Sequence, residues 1–282
     1  MLNSTPQSKI CASSDRWSDG SAELSFALRD GETRLKHLYQ SDPCRVLFPS
    51  KRAKAPKEAV IVTTSGGIVG GDRLEFDIKG GKSTTATVMT QAAEKVYRSA
   101  GEDSVIDISI LVEDGALLEW MPQETIMFEG ARLRRATNID VFGSGRFIAG
   151  EIVIFGRRAR SEKFTKGLFH ETWQVREDGA LAWVDGLHLD GDIGEIISDR
   201  HAFGNAAALA TVVYGGSDAG RRLGFAKKVV QSGAATCIGN FLIARFVDTD
   251  AARLRVSVAR YWINLRSKFD GLPAGLPRVW ET

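Results

Sequence analysis

The sequence predicts a mainly β protein, a single body of many short strands with a small helical part near its C-terminus. Three observations lead there. Apolar and polar residues alternate with period two over long stretches, as in strands with one face turned to a core. Glycine-containing turn signals separate those stretches. Helical spacing is clear only late in the chain.

Residues 1–20 are polar and read as a disordered N-terminal tail, without the cationic start and apolar run of a signal peptide. Residues 21–282 then read as one β domain with helical elements near 221–270. Glu23 to Leu28 and Lys36 to Tyr39 are the first strands, and Pro49 to Glu58 is a basic loop. Ala59 to Thr64 is a short β-branched run. Leu74, Phe76 and Ile78 alternate with Glu75 and Asp77, and Ile106, Ile108, Ile110 and Val112 repeat the pattern. Glu113-Asp114-Gly115 supplies a turn before Ala116 to Trp120. Gly143-Ser144-Gly145 separates Thr137–Phe142 from Arg146–Phe155, and Asp178-Gly179 separates Phe169–Val175 from Ala180–Leu187. Asp-Gly between β runs is a hairpin signal, because glycine reaches positive φ without steric cost. Leu254, Val258, Tyr261, Trp262 and Leu265 mark a helix over Ala251–Arg266, with Thr249 or Asp250 as N-cap and Gly271 and Pro273 as its stop. Arg221 to Phe246 is expected to hold a second helix interrupted near Ser232-Gly233. No fixed-period repeat is evident.

With 37 basic and 35 acidic residues the net charge is +2, which gives no electrostatic case for nucleic acid. The local excess at Lys51, Arg52, Lys54 and Lys57 reads as a solvated loop. The three cysteines, Cys11, Cys44 and Cys237, are odd in number and widely spaced, so neither a disulfide framework nor a zinc site follows. No stretch is long and apolar enough for a membrane span.

Chemical motifs are few. Gly80-Gly81-Lys82-Ser83-Thr84 resembles the tail of a P-loop, but Phe76 stands where the loop needs its first glycine and β-branched residues follow. Gly66-Gly67-Ile68-Val69-Gly70-Gly71 lacks the spacing of a dinucleotide-binding fingerprint. Its four glycines, Gly66, Gly67, Gly70 and Gly71, allow positive φ and close backbone approach. They form either a tight buried turn or a passage lined by a ligand or partner, with Asp72 at its mouth. Where such a glycine holds positive φ, replacement by alanine costs about 1 kcal/mol or more. His188 with Asp190 and Asp192 could hold a divalent metal weakly, although Asp190-Gly191-Asp192 is also an ordinary turn. Polar groups are dense at Gln91 to Ser99 and at Pro122-Gln123-Glu124, and read either as turn chemistry or as the lining of an internal channel.

Five segments, in order, resemble the UreD (UreH) family of urease accessory proteins. They are Ser65–Leu74 (SGGIVGGDRL), Thr90–Ser99 (TQAAEKVYRS), Leu118–Ile126 (LEWMPQETI), Phe155–Arg160 (FGRRAR) and Leu276–Trp280 (LPRVW). The resemblance spans Glu23 to Thr282, with departures only at Ser65 and Met121. It implies a β-helix-like body, no enzymatic activity and a cytoplasmic setting. The implied partners are the UreF accessory protein, the nickel-carrying GTPase UreG and apo-urease. It also implies an internal tunnel for nickel in transit and no tightly bound cofactor. Transit requires weak, exchangeable oxygen ligands. Asp72, Gln91, Glu94 and Glu124, placed by these motifs, are the expected tunnel residues.

Overall fold

The computed structural model describes residues 18–50 and 55–281. Most of the expected tail, Cys11 and the basic residues Lys51, Arg52 and Lys54 lie outside the described residues. The first hairpin joins β1 (Asp19–Arg29) to β2 (Glu32–Gln40) through Asp30 and Gly31, both at positive φ (53° and 73°). A second antiparallel pair follows, β3 (Cys44–Leu47) with β4 (Lys57–Thr63).

From β4 onward the chain coils. The first full turn is β5 (Arg73–Gly80), β6 (Thr85–Thr90) and a short β7 (Glu94–Val96). The next is β8 (Ser104–Val112), β9 (Leu117–Trp120) and β10 (Thr125–Met127). The third runs through β11 (Arg132–Val141) and β12 (Arg146–Phe155) and passes to β13 (Leu168–Glu177). Coils stack in parallel: β1, β5, β8, β11 and β13 lie side by side in one sheet, and β4, β6, β9 and β12 in the facing one. The short strands β7 and β10 build a third edge against the end of β12. This is the mainly β, β-helix-like body expected.

Antiparallel elements close the stack. β14 (Ala180–Asp190) folds back on β13, and a short helix α1 (Ile193–Ser198) leads to β15 (Ala208–Gly215). Then come α2 (Ala219–Val229), the hairpin of β16 (Gly233–Ile238) and β17 (Phe241–Asp248), and α3 (Ala251–Phe269). Asp250 caps α3 by accepting from the Arg253 N–H at 3.1 Å.

Two expectations need correction. Asp178-Gly179 does turn a hairpin, but Asp114-Gly115 carries the chain from one sheet to the other. Its chemistry is that of a hairpin turn because both need a glycine at positive φ (70° at Gly115). Successive corners are tied together, with Asp114 accepting from the Ser144 N–H (2.8 Å) and Asp178 from the Gly143 N–H (2.9 Å). Second, the helix expected over Arg221–Phe246 stops at Val229. Residues beyond Ser232 pair instead as β16 and β17 against β15, where their β-branched and aromatic side chains pack on a sheet. The coils repeat in space without a fixed period in sequence, as expected. Phe76, Ile108, Thr137 and Trp173 stand in one cross-strand row, at unequal spacings in sequence.

Two cores result. One lies between the sheets and includes Leu24, Phe76, Ile108, Trp120 and Phe147. The other lies between the second sheet and α2 and α3, with Ile148, Val212, Tyr214, Leu254 and Trp262. Strands β9 and β12 are therefore covered on both faces and read as nearly unbroken apolar runs. Within the outer core Glu119 is fully buried, accepting from Trp262 Nε1 (2.8 Å), Thr87 Oγ1 (2.5 Å) and Arg266 Nη2 (2.9 Å). Arg222 is equally buried, between the rings of Tyr214 and Phe269, and its Nη1 and Nη2 each donate to Asp270 at 2.7 Å.

Removing one member of a buried ion pair strands the other charge. Arg222→Ala is expected to cost about 3 kcal/mol, the low end of that class because Arg146 still meets Asp270 at 2.6 Å. Urea unfolding of the full chain measures it, and a loss below about 1 kcal/mol would show that this network does not fasten the helices.

Candidate functional site

The interior changes character along the stack. Leu74 and Ile106 stand in register with Arg135 and then Glu171, and Phe76 and Ile108 with Thr137 and Trp173. Apolar rows thus become polar at the third coil. Thr125 and Glu151 meet them from the opposite side. Arg135 donates through Nε to Glu171 (2.5 Å), through Nη1 to Thr125 Oγ1 (2.8 Å) and through Nη2 to Glu151 (2.5 Å). All four side chains are buried.

Two cavities meet at this cluster. The first, about 40 Å³, is lined by apolar Leu74, Phe76, Ile106 and Ile108 together with the charged Glu94, Arg135 and Glu151. That is room for a few waters, at about 10–15 Å³ each. The second, about 230 Å³, shares Glu151 and Trp173 as walls and adds Glu171, Asp185, Thr211 and Arg245. Arg245 and Asp185 pair across the two sheets. The buried Trp173 Nε1 has no protein acceptor in hydrogen-bonding geometry. Glu94 and Glu151 thus line the first cavity, and Glu151, Glu171 and Asp185 the second.

One guanidinium faces two carboxylates here. Burial first, and the charge of Glu171 second, hold the Glu151 carboxyl well above its ordinary value despite Arg135. Burial also raises Glu94, and Asp72 adds to it. Cys44 is buried and its thiol is pushed up to about 11, chiefly by burial, so it stays protonated and is a poor metal ligand.

Of the residues expected from sequence, Glu94 lines the first cavity. Asp72 lies beside it inside the glycine corner, where its carboxylate accepts from the Ser18 (2.7 Å) and Val69 (2.9 Å) N–H groups. Glu124 is buried against Arg255 Nη1 (2.6 Å). Arg255 in turn covers the ring of Trp280, whose Nε1 donates to the Met121 carbonyl (3.0 Å), so this motif clasps the C-terminal segment. Gln91 is exposed and borders neither cavity. Gly66, Gly67 and Gly71 hold positive φ (77°, 142° and 95°). Gly70 does not, and is small for another reason: a Cβ there would overlap Ser99 and the Glu102 carbonyl of the next coil. His188 meets His170 rather than Asp190, whose Oδ1 accepts from the Gly191 N–H at 2.8 Å. Among the described residues no group of three or more His, Cys, Asp or Glu side chains converges as a metal site.

Sequence reasoning missed Arg135, Glu151 and Glu171. Their signal was parity: each is a charged residue at an inward position of an otherwise apolar alternation, Leu133-x-Arg135, Ala149-x-Glu151-x-Val153 and Phe169-x-Glu171-x-Trp173.

A family model described as UreD urease accessory protein matches residues 18–281. Among curated proteins, the urease accessory protein UreD of Magnetococcus marinus is 42% identical over 271 residues, covering 93% of each chain. That of Rhodopseudomonas palustris strain BisA53 is 38% identical over 263 residues, 92% of this chain and 89% of its own. That of Rhizobium leguminosarum bv. trifolii is 34% identical over 265 residues, 93% and 95%.

The raised Glu151 carboxyl makes stability pH-dependent. From about 4.5, the ordinary value, up to its folded value, the native state holds a proton that the unfolded chain has released, so stability falls as pH rises. Glu151→Gln removes that dependence. Calorimetry should show the variant gaining in melting temperature over the parent between pH 5 and pH 8, whereas parallel profiles would mean that Glu151 ionises normally.

Proposed function

The chain belongs to the UreD family of urease accessory proteins, and from that premise we propose that it is a non-catalytic scaffold of urease maturation whose polar interior passes nickel toward apo-urease. The reading places it in the cytoplasm, in a complex with UreF, the GTPase UreG and apo-urease. No helix among the described residues is long and apolar enough to cross a membrane.

One observation supports the nickel reading: Glu94 and Glu151 line one cavity, and Glu151, Glu171 and Asp185 line a second that shares Glu151 and Trp173 with it. Carboxylate oxygens bind a divalent cation and release it, whereas thiolates would retain it. Glu151 and Glu171 are occupied by Arg135. A cation resting there competes with Arg135 for Glu171 and displaces the proton that Glu151 holds. The nickel is cargo, and the chain's own residues serve as successive resting points. Nucleotide chemistry falls to the GTPase partner, in keeping with Gly81-Lys82-Ser83, which form a corner between β5 and β6.

The test co-expresses the tagged chain with its cognate UreF, UreG and apo-urease, with size exclusion and nickel-dependent urease activity as readouts. A complex that activates urease is expected. Glu94→Ala with Glu151→Ala should lower activation at least tenfold while the complex elutes unchanged. Undiminished activation by that variant would refute the passage, and failure of the parent chain to associate with any component would refute the scaffold.

A further inference from the structure

The outer face of β13 and β14 carries a feature the interior does not use. His170 and His188 are direct cross-strand partners. His188 is exposed and His170 half-buried, and their Nδ1 atoms face each other at 3.1 Å with the rings tilted by 72°. Side chains alternate along a strand, so His170 projects to the outside while its neighbour Glu171 projects into the lumen.

Two imidazole nitrogens this close have two uses. They can share one proton, or they can bind one cation. Nitrogen ligands stand about 2.0–2.1 Å from a first-row divalent metal, and a separation of 3.1 Å between them then subtends about 95–100° at the ion. That lies between the square-planar and tetrahedral angles, so two cis positions are filled without moving the backbone. Imidazole suits nickel, copper and zinc, and not the hard ions magnesium and calcium. We propose that His170 and His188 form a two-imidazole surface site for such a borderline divalent cation, held in exchange with solvent.

The surroundings are compatible. Arg134, the neighbour of His170 on β11, is held by Asp103, with Nε to Oδ2 at 2.6 Å. Burial, His188 and Arg134 together lower the pKa of His170, which leaves its ring neutral with a free lone pair. On binding, the ring whose Nδ1 carried the shared proton takes it up at Nε2 by exchange with solvent, so no net proton is lost. Asp190 does not complete a third ligand, and the open positions belong to water or to an exogenous donor. Two ligands with open positions make a site that loads and unloads readily. It stands apart from the interior carboxylates and does not depend on the passage proposed above.

The experiment is a calorimetric titration of the full chain with nickel(II) chloride, repeated with magnesium chloride. His170→Ala, His188→Ala and Glu94→Ala are titrated alongside, and the histidine side-chain nitrogen resonances are followed. One exchangeable nickel per chain is expected. Its affinity should fall at least tenfold in either histidine variant and stay unchanged in Glu94→Ala, with shifted imidazole resonances and no magnesium binding. Because both histidines lie on the outer face, the variants should keep the parent's melting temperature. An unaltered nickel isotherm in both histidine variants, or none in the parent, would overturn the site.

Discussion

In a stack of parallel coils each inward side chain sits beside the inward side chain of the next coil, so the interior is built in rows. A polar member of such a row needs a partner, because burial takes it away from bulk water. Leu74 and Ile106 satisfy theirs by apolar contact, and Arg135 and Glu171 continue the same row as an ion pair. At this junction one guanidinium is spread over three partners at hydrogen-bonding distance. Both cavities border that junction.

Placing charges there is costly. Each ion loses its hydration, and an interior ion pair rarely outdoes well-packed apolar residues in stability. Burial, and then the neighbouring charge of Glu171, raise the Glu151 carboxyl well above its ordinary value, since the one arginine is shared by both carboxylates. Other buried acids are fully spent. Asp72 takes two backbone N–H groups, Glu119 ties α3 to the sheet and Glu124 holds Arg255. The acids thus divide into fasteners away from the cavities and Glu94, Glu151, Glu171 and Asp185, which line them.

Much of the fold could be read directly. The alternations at Leu74–Ile78 and Ile106–Val112 became β5 and β8, and the helix over Ala251–Arg266 became α3, three residues longer at Phe269. Sheet-to-sheet corners were not legible, because Asp114-Gly115 carries the same turn residues as the true hairpin at Asp178-Gly179. The motif at Thr90–Ser99 contains Glu94, which lines the first cavity. Gln91 and Glu124 sit in equally polar segments but face solvent and the C-terminal clasp, since a motif records that polar groups are needed without recording which way they point. Arg135 and Glu171 come together only through register between separate coils, and His170 and His188 only through the β13–β14 hairpin. Neither pairing is a short-range pattern.

The passage is tested most directly by locating the metal. Crystals of the chain bound to its maturation partners, soaked in nickel and measured on both sides of the nickel absorption edge, would reveal its positions by anomalous difference. Peaks inside the body, beside Glu94 or between Glu151 and Glu171, are the expected result. Nickel confined to the outer surface or to the partners, with the interior empty at full loading, would contradict it.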